Sequence, residues 1–197
     1  MLVQFLPQIL AYLALAWWAW HNTHPLARLG LTRDRLWLCL SWGVGTGLVL
    51  GALNTAVMLW IVPWLGGDLE FLRDIPHARV PTPLMWPWTI VVIAALVELN
   101  FRGFLLGRLL TLSQQMWRPP VSWLGPAVAI GLAAGIFAFD PFLVATFRHL
   151  HWIGVWDAVI WGLLWVRFRN LAVPVVAHAM EVSLEYAVMK WTLTGEI

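Results

Sequence analysis

Four acids, one guanidinium and one imidazole lie inside segments that are otherwise apolar: Glu98, Arg102, Asp157, His178, Glu181 and Glu185. Glu98 and Arg102 are four positions apart, so on a helix they share a face and can pair. His178, Glu181 and Glu185, at offsets of three and seven, share one face of another helix. Carboxylates beside an imidazole are the groups of acid–base hydrolysis: one takes a proton from water, and donors stabilise the oxyanion that follows. The same types could hold a metal, since His178-x-x-Glu181 with Glu98 offers one imidazole and two carboxylates to zinc or iron. That spacing is far less diagnostic than a His-Glu-x-x-His helix. Asp157, one turn into its segment, reads as a capping or packing residue, and His149 and His151 in "FRHLHW" read as loop histidines at an interface.

The elements that carry these residues are apolar to an unusual degree. Of 197 residues, 61% are hydrophobic and 11% charged, with 16 Trp, and the mean hydropathy is +0.77. That balance lies outside the range of soluble domains and indicates an integral membrane protein. The 12 basic residues are scattered among the loops and form no stripe, so nucleic acid is not an expected partner. The lone Cys39 excludes an intramolecular disulfide or a multi-cysteine metal cluster and reads as a packing or lipid-facing residue.

Apolar runs long enough to cross ~30 Å of hydrocarbon predict an all-α, polytopic transmembrane bundle of about six spans. They cover residues 2–20, 36–62, 88–110, 123–139, 153–166 and 172–191, the fifth being short enough to require tilt or shielding by protein. The first run resembles a signal peptide at Ala14-Leu15-Ala16, but it lacks a basic start and continues through Trp17, Trp18 and Trp20, so it reads as a retained helix. Basic residues near span ends are held on the cytoplasmic side. Arg28, Arg33, Arg35, Arg108, Arg118, Arg167 and Arg169 fall on one side and Arg73, Arg79, Arg148 and Lys190 on the other, which puts both termini outside. The connection from Pro63 to Pro87 is then an external loop able to carry a short surface helix. Trp37, Trp64, Trp86, Trp88, Trp123, Trp152 and Trp191 mark an interfacial belt. Residues 1–87 form an N-terminal part of two spans and the loop, and residues 88–197 a helical core with the polar site.

Two stretches of that core resemble a known family. "VELNFRGFLLGRLL" is similar to the first motif, Glu-Glu-x-x-x-Arg, of the CAAX protease and bacteriocin-processing (CPBP, or Abi) family of intramembrane glutamic proteases. "WVRFRNLAVPVVAHAM" resembles its third motif, in which a basic turn and a Pro lead into a helix bearing His. The match is incomplete. Val97 stands where the family has its first Glu. The second motif, Phe-x-x-x-His, aligns with "GIFAFDPF", where the His position falls on Pro141 beside Asp140; a literal Phe-x-x-x-His occurs at Phe147 and His151. Val182 occupies the position of the Asn or Asp that commonly follows the third-motif His.

The resemblance implies hydrolysis of a peptide bond in a membrane-associated protein or peptide: an anchor, a prenylated tail or a secreted precursor. It carries Glu98 onto the second Glu, Arg102 onto the Arg and His178 onto the third-motif His. Glu181, Asp140 and His151 are the candidates to replace the missing water-activating pair. No cofactor is expected, and the expected partners are membrane lipid and the substrate, in a bacterial-type inner membrane. Two other classes fit the same residues: a proteolytically inactive relative that binds a membrane partner as a chaperone or immunity factor, and a small transporter or channel subunit. The latter lacks the inverted repeat of many transporters.

Overall fold

The computed structural model describes residues 5–116 and 123–195. Arg118 and the first three residues of the first predicted span lie outside them. Among the described residues the chain forms helices and connecting turns, with no strand. The helices that build the molecule are α1 (Leu6–Trp20), α2 (Leu36–Trp64), α3 (Thr82–Met116), α4 (Leu124–Ala138), α5 (Pro141–Phe147), α6 (Ile153–Phe168) and α7 (Ala172–Thr194). Each predicted span overlaps one of these helices, with different limits. α2, α3 and α7 are long and apolar enough to cross a membrane, and α4 with α5, bent by 51°, makes a fourth if the pair is one broken span. With 15 and 16 residues, α1 and α6 reach only about 23–24 Å at 1.5 Å per residue. The loop after α2 carries short helices at Glu70–Arg73 and Pro76–Arg79. A further short helix at Thr82–Leu84 has Pro83 in its first turn, where a missing N–H costs nothing, and non-helical backbone at Trp86 separates it from the regular part of α3.

Burial is inverted relative to a soluble protein. Trp17, Trp37, Trp60 and Trp64 are 70–82% exposed, whereas Asn54, Glu98, Arg102, Asp157 and Glu181 are at most 4% exposed. In water the large aromatics would be covered and the charges displayed. Lipid reverses both preferences, since apolar surface costs nothing there and charge must face protein. The chain is an integral membrane protein, and the seven tryptophans of the expected belt are all on its surface.

The most extensive helix contact is that of α2 with α7, and its cause is a run of small residues. Gly43, Gly47 and Gly51 recur every fourth position and so line one face of α2. A Cβ on Gly47 would sit 2.3 Å from the Ala177 carbonyl oxygen, one on Gly43 2.8 Å from Val176 Cβ, and one on Gly51 3.0 Å from the Glu181 carbonyl oxygen. Backbone therefore meets backbone, the contact that small residues permit between membrane helices. Three residues beyond Gly51, the same face presents Asn54 to α7.

Both ends of the bundle are fixed by polar contacts. At one end the Asn170 amide donates to the Thr32 and Asp34 carbonyls, and Leu171 N–H donates to the Gly30 carbonyl at 2.7 Å. This joins the loops bearing Arg28, Arg33 and Arg35 to the turn bearing Arg167 and Arg169. At the other, the Arg148 guanidinium lies over the Phe71 ring, and Lys190 donates to Thr82 Oγ1.

Candidate active site

α3 changes winding where its charged residues occur. Leu99–Leu106 is π-helical, immediately after Glu98, and such stretches are rare and concentrate at functional sites. Regular α periodicity, assumed from the sequence, does not hold here, yet Glu98 and Arg102 still pair: Arg102 Nη1 donates to Glu98 Oε1 at 3.1 Å. The same oxygen lies 2.9 Å from His178 Nδ1 on α7. A carboxylate can only accept, so Nδ1 carries the hydrogen. Among the described residues Nε2 of that ring has no protein partner.

Aromatic faces hold the trio. The Trp161 ring of α6 stacks on His178, centroids 4.4 Å apart and planes within 17°. The Arg102 guanidinium lies 4.6 Å from the Phe137 centroid and 4.8 Å from that of Trp161. These contacts support a buried cation where only one oxygen is close enough to accept from it. Glu98 Oε2 and Arg102 Nη2 are buried without a protein hydrogen bond.

A second polar group sits beside the first. Asn54 Nδ2 on α2 donates to both Asp157 oxygens, each at 3.1 Å, and to Glu181 Oε1 at 2.8 Å. Asn54 Oδ1 accepts from Trp156 Nε1 at 2.9 Å. The Asp157 and Glu181 carboxyls thus meet at one amide nitrogen. Asp157, expected as a capping or packing residue, thus belongs to a buried polar cluster. Asn54, Trp156 and Trp161 were not among the expected site residues. Asn54 left a trace, a polar residue deep in an apolar span; the two tryptophans left none among 16.

A cavity of about 390 Å³ adjoins both groups. His178, Asp157, Glu181, Glu185 and Asn100 line it, together with apolar residues that include Phe101, Phe137 and Met85. Val97 and Val182 line it too, so two positions that are polar in the resembled family present methyl groups to the same space. Asp140 and His151 are also on its wall but are bonded elsewhere. Asp140 accepts from Gln8 Nε2 at 2.7 Å and caps α5 by accepting from Phe142 N–H at 2.9 Å; His151 Nδ1 pairs with the Arg148 carbonyl. Neither makes a hydrogen bond to His178. The sequence therefore yields two groupings: Glu98, Arg102 and His178 in direct contact, and Glu181 one turn on, in a different partnership. Nor is the ligand set His178, Glu181 and Glu98 assembled, because Glu98 turns to Arg102 and His178 while Glu181 turns to Asn54 and Asp157. Among the described residues no three His, Cys, Asp or Glu side chains are grouped to hold a metal ion.

A helical membrane bundle with a carboxylate–imidazole pair beside a cavity defines a class, the polytopic membrane proteins with an intramembrane polar site. Residues 79–183, just over half of the chain, match the model of the Rce1-like family, described as type II CAAX prenyl endopeptidase Rce1-like. The chain belongs to the Rce1-like family, in agreement with the motif resemblance. No curated protein and no solved structure matches it.

Proposed function

We propose that the protein is an intramembrane endopeptidase acting on a membrane-associated peptide or protein, such as a prenylated tail, an anchor or a precursor. The observation that carries this reading is the Glu98–His178 contact at the wall of a mostly apolar cavity. A carboxylate that holds one imidazole N–H fixes the tautomer and leaves the other nitrogen basic. His178 Nε2 then takes a proton from the attacking water, and Arg102 holds the Glu98 carboxylate in place. The apolar lining suits a lipidated or membrane-embedded chain, and the family's description names prenyl endopeptidases. Six spanning segments with both termini outside complete the reading, with residues 88–197 as the core. The joining of the Arg28–Arg35 loop to the Arg167–Arg169 turn supports that orientation, because it collects basic residues at one end.

The test is cleavage of an internally quenched prenylated peptide by purified protein in detergent or liposomes. Glu98→Gln and His178→Ala are expected to lower kcat by about 10²–10⁴-fold, the usual range for a lost acid–base group, with normal protein abundance. A second reading is favoured by Val97, Pro141 and Val182, which remove three polar positions of the resembled motifs. On that reading the fold binds a membrane partner without cleaving it. Unchanged biological output from well-expressed Glu98→Gln and His178→Ala variants would establish it.

A further inference from the structure

The cavity has a direction. His178, 8% exposed, is at its inner end, and every other α7 residue that lines it follows His178 along one helix face as far as the exposed Thr194. The loop after α2 contributes Leu72, Ile75 and the exposed Arg73. None of the lining comes from residues 30–34 or 167–171, which are joined at the opposite end of the bundle. A substrate therefore reaches Glu98 and His178 from the end that bears Arg73 and Thr194.

Lys190 stands on this path. It is half-buried, and its ammonium has three N–H donors. One goes to Thr82 Oγ1 and one to Tyr186 Oη, at 3.3 Å in the latter case. Among the described residues the third has no acceptor, and no carboxylate pairs with the cation. Arg73, the other Lys or Arg on the wall, is already paired with Glu70 at 3.0 Å. A half-buried cation without a counter-charge is stabilised by an anion. Deeper along the wall Asp157, Glu181 and Glu185 repel one, so a single negative group is held near the mouth. Between His178 and Lys190 the wall is largely apolar: Met85, Ile90 and Val182 line it and pack together there. An apolar segment that ends in one anion is the C-terminus of a membrane-inserted peptide.

We propose that Lys190 binds the C-terminal carboxylate of the substrate and so sets the cleavage position, counted from that end. The proposal rests on the endopeptidase reading above and adds a specificity-determining residue to it. Lys190 follows His178 by twelve positions on α7, a separation of about 18 Å at 1.5 Å per residue. An extended chain covers about 3.3–3.6 Å per residue, so the scissile bond lies about five residues from the carboxylate. In that register the carboxylate accepts the third N–H of Lys190, apolar side chains lie against Met85, Ile90 and Val182, and the scissile carbonyl reaches His178.

The experiment uses prenylated peptides of one repeating apolar sequence, lengthened one residue at a time at the C-terminus. Each is made as the free acid and as the carboxamide. The full chain, purified into liposomes, is incubated with them, and mass spectrometry reads the position and rate of the cut. The wild type is expected to favour the acid by about tenfold or more in kcat/KM, the size of one hydrogen bond to a charged group. Its cut is expected to stay about five residues from the carboxylate as the chain is lengthened. Lys190→Met keeps most of the stem and removes the charge, and should bring the acid-to-amide ratio close to one; Lys190→Arg should keep the preference. Equal cleavage of acid and amide by the wild type, or a cut at a fixed distance from the prenyl group, overturns the role of Lys190 and leaves the endopeptidase reading intact. So does a Lys190→Met protein that retains the preference. The wild-type comparison needs no variant, so it decides the matter even if Lys190→Met fails to accumulate. A wild type that cleaves none of the peptides removes the endopeptidase reading, and the role of Lys190 with it.

Discussion

Glu98 and His178 are 80 positions apart in the chain and 2.9 Å apart in space, with Arg102 on the same carboxylate oxygen at 3.1 Å. One buried oxygen thus joins α3 to α7 by accepting from a guanidinium and an imidazole together. Removing any one partner leaves the others in a medium that does not solvate them, so the consequences for stability are specific.

Arg102→Met strands the Glu98 carboxylate. Breaking a buried pair from one side costs about 3–5 kcal/mol, so the variant should accumulate poorly and melt earlier in detergent. The double variant Glu98→Gln/Arg102→Met should recover part of that loss, because no unpaired charge is left. Thermal unfolding of all three proteins measures the coupling, and a double variant no more stable than Arg102→Met would mean that the pair is not what holds the helices.

Gly47→Val places side-chain atoms where even a Cβ lies 2.3 Å from the Ala177 carbonyl oxygen. α2 must then withdraw from α7, at a cost of about 1–3 kcal/mol or more for overpacking. Gly45→Val, with nothing within 4 Å of its Cβ, should melt like the wild type. Similar melting of the two variants would argue against the glycine face as the seat of the α2–α7 contact.

Trp161 serves His178 by stacking and Arg102 by its π face. Trp161→Ala should cost about 3–5 kcal/mol as a large buried aromatic and lower cleavage further by freeing the imidazole. Trp161→Phe keeps a ring and should retain most of both. Melting temperature and kcat, measured on both variants, separate packing from positioning.

Asp140 is an N-cap of α5 as well as a cavity residue. Asn caps as well as Asp, and loss of a cap costs about 0.5–2 kcal/mol. Asp140→Asn should therefore keep stability and cleavage, and Asp140→Ala should lose stability alone. A large loss of kcat in the Asn variant would instead assign Asp140 a catalytic charge.

The sequence by itself determined the class of this protein and the first half of its site. Span-length apolar runs can only be helical in lipid, since every backbone group must be paired within its own segment. A carboxylate and a guanidinium four positions apart identify each other without any tertiary information. Family membership, too, was legible in "ELNFRG" and "PVVAH", because local motifs persist in one stretch of chain. Only the tertiary structure decided which of the remaining polar groups share a site. His178, Glu181 and Glu185 lie on one helical face, but one turn is enough to send His178 to Glu98 and Glu181 to Asn54. That choice depends on how closely α2 approaches α7 and on the π-helical winding of α3. Both are properties of packing between distant segments, and no spacing within one segment encodes them.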